Sequence, residues 1–519
     1  MSDLSDVNAA HKHRKRLLKD PYRPRYHYAF LDCDGRPGDP NGCFYADGFH
    51  HLMYLYKYED GSFRWGHISS HDLLHWQHKP DSLIKGEFDE GCFSGGAFVD
   101  EDGTAYLSYW IFSNSKSVSS NYGIGIASSR SPYDKWVCNQ VPIIRSNRWG
   151  ICDFTNADGK TIHLGCADPS NIWKKDGVYF ILLGNLCVLN EYGRTSESDD
   201  MYRGDWVELY SSVDLGSWSF EGRFYQRRKD NSWTDETEDN MCPSYLPLPS
   251  NFEGGPPSGK MLQLFISHNK GCQYYLGRQE GLEFLPEVHG RMSWNDNAFF
   301  APEAYIDSKG RHITFSWLRD NLDNDFQTYG WSGVYSLPRT LWLDEGFLGI
   351  APVSELRSLR CNERDLTDKV IAALNSQMDL NKKSFLPLCL ANPFCCEIEI
   401  SLFGLGDYSC GIELVSDSES AQIFYDSASK SLVMDITKSR KSVYSICEKA
   451  PLTLNVDESL VLDIFIDRSV LEVFAQNRQA ICRRVYFTHP NLLEVNFTYN
   501  GNLKIRSLKA WEISPTNPY

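Results

Sequence analysis

The sequence is short of positive charge and of long apolar runs. Lys and Arg number 52 against 68 Asp and Glu, a formal net charge of −16. That balance argues against a nucleic-acid or anionic-membrane partner and suits a neutral substrate. No run approaches the roughly 18 apolar residues that a membrane-spanning helix needs. The opening stretch MSDLSDVNAAHKHRKRLLKDPYRPRYHY lacks the apolar centre of a secretory signal. Its basic cluster, His11 to Arg16, reads as a solvated, partly helical tail. There is no CxxC pair and no His-rich zinc spacing, so no structural metal is expected. The 16 cysteines are scattered and include the vicinal pair Cys395 and Cys396. In a chain of 519 residues without a signal, they read as free thiols of a cytoplasmic protein.

What is abundant is the aromatic residue, at 13%, which favours strands and sugar-stacking surfaces. One pattern recurs. An apolar strand runs into a glycine turn and out into an aromatic-rich strand, at Gly48, Gly103, Gly177, Gly259 and Gly310. Turns of Asp-Gly type are the strongest short-range hairpin signal. A second pattern follows three of the hairpins: SSHDLLHW, SSRSPYDKW and SSVDLGSW end at Trp76, Trp136 and Trp218, each opening a further strand. Five such units predict a five-bladed β-propeller over 26–345, with a β-sandwich array as the alternative. Residues 1–25 form the basic N-terminal segment and 346–379 a connector. Short alternating strands over 380–519 predict a β-sandwich. That domain reads as a brace for the propeller or a contact between copies of the chain. Asp467 and Glu472 within it read as strand and turn residues. The fold class is all-β.

A propeller gathers the starts of its inner strands around one axis, so acids far apart in sequence converge there. Asp39 in GRPGDPNG and Asp168 in CADPSNIW each precede a Pro and then an Asn, in the first and third units. A third acidic cluster, TDETEDNMCP, precedes the fourth hairpin and offers Asp235, Glu236, Glu238 and Asp239. A lone Asp-Pro is usually only a turn. Two of them with an acidic loop suggest glycoside hydrolysis. There one carboxylate attacks the anomeric carbon, one carboxylic acid protonates the leaving oxygen and later activates water, and a third can hold the sugar hydroxyls. No cofactor is needed, because two carboxylates do the proton and nucleophile work.

At these residues the chain resembles the family 32 glycoside hydrolases, the invertases, inulinases, levanases and other β-fructosidases. The resemblance rests on eight stretches in order: GDPNG, RWGHISSHDLLHW, CFSGGAFVDEDG, ADPSNIW, APEAYIDSKGRHITFSWL, SLPRTLWL, APVSELRSLR and LDIFIDRSVLEVFA. It implies a propeller followed by a sandwich, and a retaining hydrolase of β-fructofuranosides, exo-acting on short fructo-oligosaccharides or an unusual fructoside. It makes Asp39 the nucleophile and Asp168 the transition-state stabiliser, with Asn41, Trp65, Phe93 and Ser94 around the fructosyl unit.

The resemblance breaks at the acid/base. The family's Glu-Cys-Pro reads Met241-Cys242-Pro243. The nearest acids upstream are Glu238 and Asp239, of which Glu238 has the longer reach. Glu303, where the family usually has Gln, reads rather as a substrate contact. Further departures stand at Arg36-Pro37-Gly38, Leu55 and Ala167, which replace the family's Trp-Met-Asn, a Gln and an Arg. Arg36 is a candidate to restore one lost contact. The altered pocket keeps three alternatives open: fructosyl transfer, hydrolysis of another furanoside such as a difructose anhydride or an arabinofuranoside, and sugar binding without catalysis.

Overall fold

The computed structural model describes residues 3–30, 36–86, 90–112, 122–268, 270–319, 329–376, 379–440, 445–455 and 457–517. By internal contacts the chain divides into two compact units. One is Pro37–Trp317 with Thr340–Leu348, and the other is Met1–Arg36 with Leu318–Arg339 and Gly349–Tyr519.

Five antiparallel blade sheets follow one another along the chain, four of them simple four-stranded meanders and one five-stranded. Blade 1 is Pro40–Ala46, Phe49–Lys57, Phe63–Ser70 and Gln77–Leu83. Blade 2 begins with Ala97–Val99 and carries an extra short strand, Ile144–Arg145, beside Gly123–Ser129. Blade 3 runs from Trp173–Lys175 to Ser219–Arg223 and blade 4 from Met241–Pro249 to Glu283–Arg291. Blade 5 runs from Phe299–Ile306 to Phe347–Pro352. The first strand of blade 1 packs against the first strands of blades 2 and 5, which closes the ring. This is the five-bladed propeller expected from the repeats.

The turn chemistry explains the regularity. Asp47 and Gly48 (φ 52° and 82°), and Asp176 and Gly177 (φ 51° and 79°), sit left-handed at two-residue hairpins. Such turns match the right-handed twist of the flanking strands. Trp76, Trp136 and Trp218 each stand immediately before the fourth strand of blades 1, 2 and 3. In the last two, the indole N–H donates to the carbonyl three residues back, Tyr133 (3.2 Å) and Leu215 (3.1 Å). One expected turn lies elsewhere. Gly259 (φ 86°) is inside the strand Pro257–Ser267, at an irregularity in its pairing, and the reversal falls before it, around Gly254 and Gly255. A glycine in a strand marks a bulge as readily as a turn.

In the other unit, two long strands, Cys395–Ser416 and Glu494–Ile513, pair antiparallel along nearly their whole length. They belong to a ten-stranded, nearly closed sandwich. The acids read as structural are so here. Asp467 accepts the backbone N–H groups of Arg25, Tyr26 and His27 at 2.7–2.8 Å. Glu472 accepts from the Arg339 guanidinium at 2.9 and 2.7 Å, from Leu337 N–H at 3.1 Å, and faces His27 Nε2 at 3.2 Å. Burial opposes its charge, yet Arg339 and His27 hold the carboxyl at about 2. Glu472→Ala strands the Arg339 charge, and truncating one partner of a buried pair typically costs about 3 kcal/mol or more. The expected result is an unfolding free energy from urea titration at pH 7 that is lower by that amount. The parent's share of this stability is present above the unfolded value of 4.5 and is lost as pH falls toward 2.

Candidate active site

The turn around Asp39 is built by its neighbours. Gly38 N–H donates to Leu55 O (2.9 Å) and Leu55 N–H to Asp39 O (3.0 Å), so the blade 1 ladder continues past Pro40. The Asn41 side chain donates to Asp39 O (2.9 Å) and accepts from Gly95 N–H (3.0 Å), tying the turn to blade 2. Gly42 is left-handed (φ 50°), and a Cβ there would lie 2.9 Å from Leu107 and 3.0 Å from Trp65. Only glycine passes this point without moving the core. Trp65 has no exposed surface, and its indole N–H donates to Phe93 O at 3.1 Å. It therefore buttresses the turn from below and does not line an open pocket, because an indole packed on all sides cannot touch sugar. The carboxylate left at the surface of this framework is half-buried, and Ser94 Oγ–H donates to its Oδ2 at 2.7 Å.

Asp168 comes from the matching position in blade 3. It is 6% exposed and left-handed (φ 37°). The same device recurs before the prolines of blades 4 and 5, at Cys242 (φ 47°) and Ala301 (φ 49°). A proline disfavours the α-helical region for the residue before it, and here the chain turns left-handed at that residue. Cys242 Sγ–H points at Asp168 Oδ2 from 3.4 Å. Burial, and then the charge of Asp39, raise the Asp168 carboxyl to about 7, against the lowering effects of His268 and Cys242. Two acids from blades 1 and 3 thus share one electrostatic environment, as their matching sequence contexts implied.

The acid/base candidate does not join them. Glu238 is 1% exposed. Its carboxylate is held by Arg291 at 3.0 and 3.2 Å, by Gln273 Nε2 at 2.7 Å and by Asp235 N–H at 3.1 Å. Both carboxylate oxygens are thus taken up by Arg291, Gln273 and the Asp235 backbone. Met241 is buried and pairs with Ile266. Glu303 lies in the first strand of blade 5, 5% exposed, accepting from Cys43 N–H at 3.3 Å, with burial pushing its carboxyl well above the usual range. Phe93 is half-buried in an aromatic group with Phe63, Trp110, Phe112 and Trp149. Arg36 is exposed and left-handed (φ 47°). Gly38 rests against the Trp317 ring, where a Cβ would meet it at 3.4 Å.

Comparison with known proteins decides the family. The profile of the glycosyl hydrolases family 32 N-terminal domain matches residues 35–352, and that of the C-terminal domain matches 355–512. The chain belongs to glycosyl hydrolase family 32. It is 26% identical to a sucrose-6-phosphate hydrolase of Zymomonas mobilis, over 98% of this chain and 96% of that one. It is 24% identical to a levanase of Bacillus subtilis, over 96% and 72%. Among solved structures it superposes on fructan 1-exohydrolase IIa of Cichorium intybus in complex with 1-kestose. The TM-score there is 0.74, at 23% identity, covering 95% of this chain and 98% of that one. Family 32 members are glycoside hydrolases, so this chain carries a glycosidase scaffold.

The sequence reading missed two members of the cluster. The X-Pro at Cys242-Pro243 repeats the Asp-Pro of blades 1 and 3, a signal that would have placed Cys242 beside Asp168. His268 had no such signal, since its place depends on strand pairing.

Proposed function

We propose that this family 32 chain is a retaining β-fructofuranosidase, exo-acting on short fructo-oligosaccharides or an unusual fructoside. The observation that supports it is the Asp39–Asp168 pair, electrostatically coupled across two blades, with Ser94 fixing one oxygen of Asp39. In this reading the Asp39 carboxylate attacks C2 of the fructosyl unit and forms an ester, which water then opens with net retention. Asp168 accepts from the sugar hydroxyls as positive charge develops on the ring. Asn41 and Trp65 act through the turn that they hold. Gly38, Leu55 and Ala167 offer fewer side-chain hydrogen bonds than a Trp-Met-Asn, Gln and Arg set, which motivates a substrate other than the commonest fructosides. The thiols, free among the described residues and including buried Cys395 and Cys396, support a cytoplasmic location.

The test is a product assay. Purified protein meets sucrose, sucrose 6-phosphate, 1-kestose, levanbiose, inulin, difructose anhydrides and aryl arabinofuranosides, and released sugars are separated by anion-exchange chromatography. Free fructose from one or a few small fructosides is the expected outcome. Arabinose alone, or longer oligosaccharides in place of free fructose, would replace the reading with another furanosidase or a transferase. Silence on every sugar, with binding seen by calorimetry, would leave a sugar-binding protein.

A further inference from the structure

A retaining reaction needs a proton donor for the leaving oxygen besides the nucleophile. The chain's position 241 offers a thioether, and the Glu238 carboxylate is bound to Arg291. Another titratable group feels the charge of both acids. His268 stands at the end of the second strand of blade 4, just past Ser267. Extending the Met241–Ile266 pairing by two residues in each direction sets Asp239 opposite His268.

The two are locked together. Asp239 is fully buried, and both of its oxygens are used on this neighbour. Oδ2 accepts from the ring Nδ1 at 2.8 Å, and Oδ1 accepts the His268 backbone N–H at 3.0 Å and Ser267 Oγ–H at 3.3 Å. Asn297 holds the His268 carbonyl from the far side at 2.6 Å. The edge of the ring meets Phe300 of blade 5, with centroids 5.7 Å apart at 78°. With Nδ1–H committed to Asp239, the ring keeps Nε2 for the solvent side, and the side chain is 43% exposed. Nε2 makes no hydrogen bond among the described residues. The charges of Asp168 and Asp39 both act on this ring.

We propose that His268, oriented by Asp239, is the acid/base of the reaction in place of the missing family glutamate. This assignment rests on the β-fructofuranosidase reading. In the first step Nε2–H gives its proton to the glycosidic oxygen while Asp39 attacks C2; the C2–O bond breaks and the fructosyl–Asp39 ester forms. In the second, neutral Nε2 takes a proton from water, whose oxygen attacks C2; the ester bond breaks and the imidazolium is regenerated. The facing acids suit this cycle. Burial disfavours the charged ring, but the Asp239 hydrogen bond and the charges of Asp239, Asp168 and Asp39 raise its affinity for the proton above the ordinary value of 6.5. More of the resting ring therefore carries the proton at neutral pH than in an ordinary imidazole.

The experiment compares two substrates on the full chain: a fructoside whose leaving group is a sugar, taken from the product assay, and an aryl β-fructofuranoside with a 4-nitrophenolate leaving group. His268→Asn is expected to lower kcat/KM on the sugar substrate by about 10²–10⁴-fold and on the aryl substrate by less than tenfold, since nitrophenolate leaves without a proton. Azide should restore turnover of the aryl substrate by forming fructosyl azide. Asp239→Asn, which keeps the ring but removes its anion, should move the basic limb of the pH profile to lower pH. Glu238→Gln should leave the ratio between the two substrates as in the parent. An active parent whose His268→Asn variant equals it on the sugar substrate, or loses equally on both, overturns the assignment. So does an unmoved basic limb in Asp239→Asn. A parent inert on both substrates overturns the β-fructofuranosidase reading itself, and the assignment with it.

Discussion

Asp39→Asn should fold like the parent and turn over at least about 10⁴-fold more slowly, a barrier increase of roughly 5.5 kcal/mol. The substitution keeps the shape of the side chain. An amide oxygen still accepts from Ser94 Oγ–H, and the hydrogen bonds that set the turn run through the backbone of Asp39 and the side chain of Asn41. Melting temperature should therefore hold within a few degrees, while the amide cannot form the ester with C2. The removal of one negative charge should also appear next door. The charge of Asp39 helps to raise the Asp168 carboxyl, so in the variant Asp168 should titrate at lower pH. Initial rates and a pH titration of the purified variant check both. Activity within tenfold of the parent would remove Asp39 from the nucleophile's place.

The parts of this molecule that were legible in the sequence are those set by local backbone chemistry. Two-residue hairpin turns favour Asp and Gly at left-handed φ, and so Gly48 and Gly177 announced their hairpins. An Asp-Pro followed by Asn announced both carboxylates, because the turn that presents each one is written in adjacent residues. The acid/base was not legible for the converse reason. Asp239 and His268 lie 29 residues apart, joined only by the register of two strands. Choosing Glu238 over Asp239 by side-chain length ignored what comes to meet each: Arg291 and Gln273 reach Glu238, and His268 reaches Asp239. Trp65 was misplaced in the same way. An aromatic residue near a site reads as a wall, but Gly42 lets its ring pass beneath the turn instead.

Asp168→Asn should separate catalysis from stability. At the active site the variant loses the charge that meets the developing positive ring, and kcat/KM should fall by about 10³-fold or more. In the fold it loses a liability. A buried carboxyl held near 7, against 3.8 when unfolded, costs the native state about 4 kcal/mol once ionised, at ~1.36 kcal/mol per pH unit. The sign follows from the raised value. The parent is unpenalised below about 4, loses stability steadily as pH rises toward 7, and is at its full deficit beyond that. Asparagine carries no such charge and keeps an oxygen for the Cys242 thiol, which lies 3.4 Å from Oδ2. The variant should therefore outlast the parent in urea at pH 8 by a few kcal/mol, with the gap narrowing at pH 5 and closing near pH 4. Equal stability at both pH values would mean that Asp168 is ionised without cost in the native protein, and that the neighbouring cation, His268, neutralises it more fully than Asp39 opposes it.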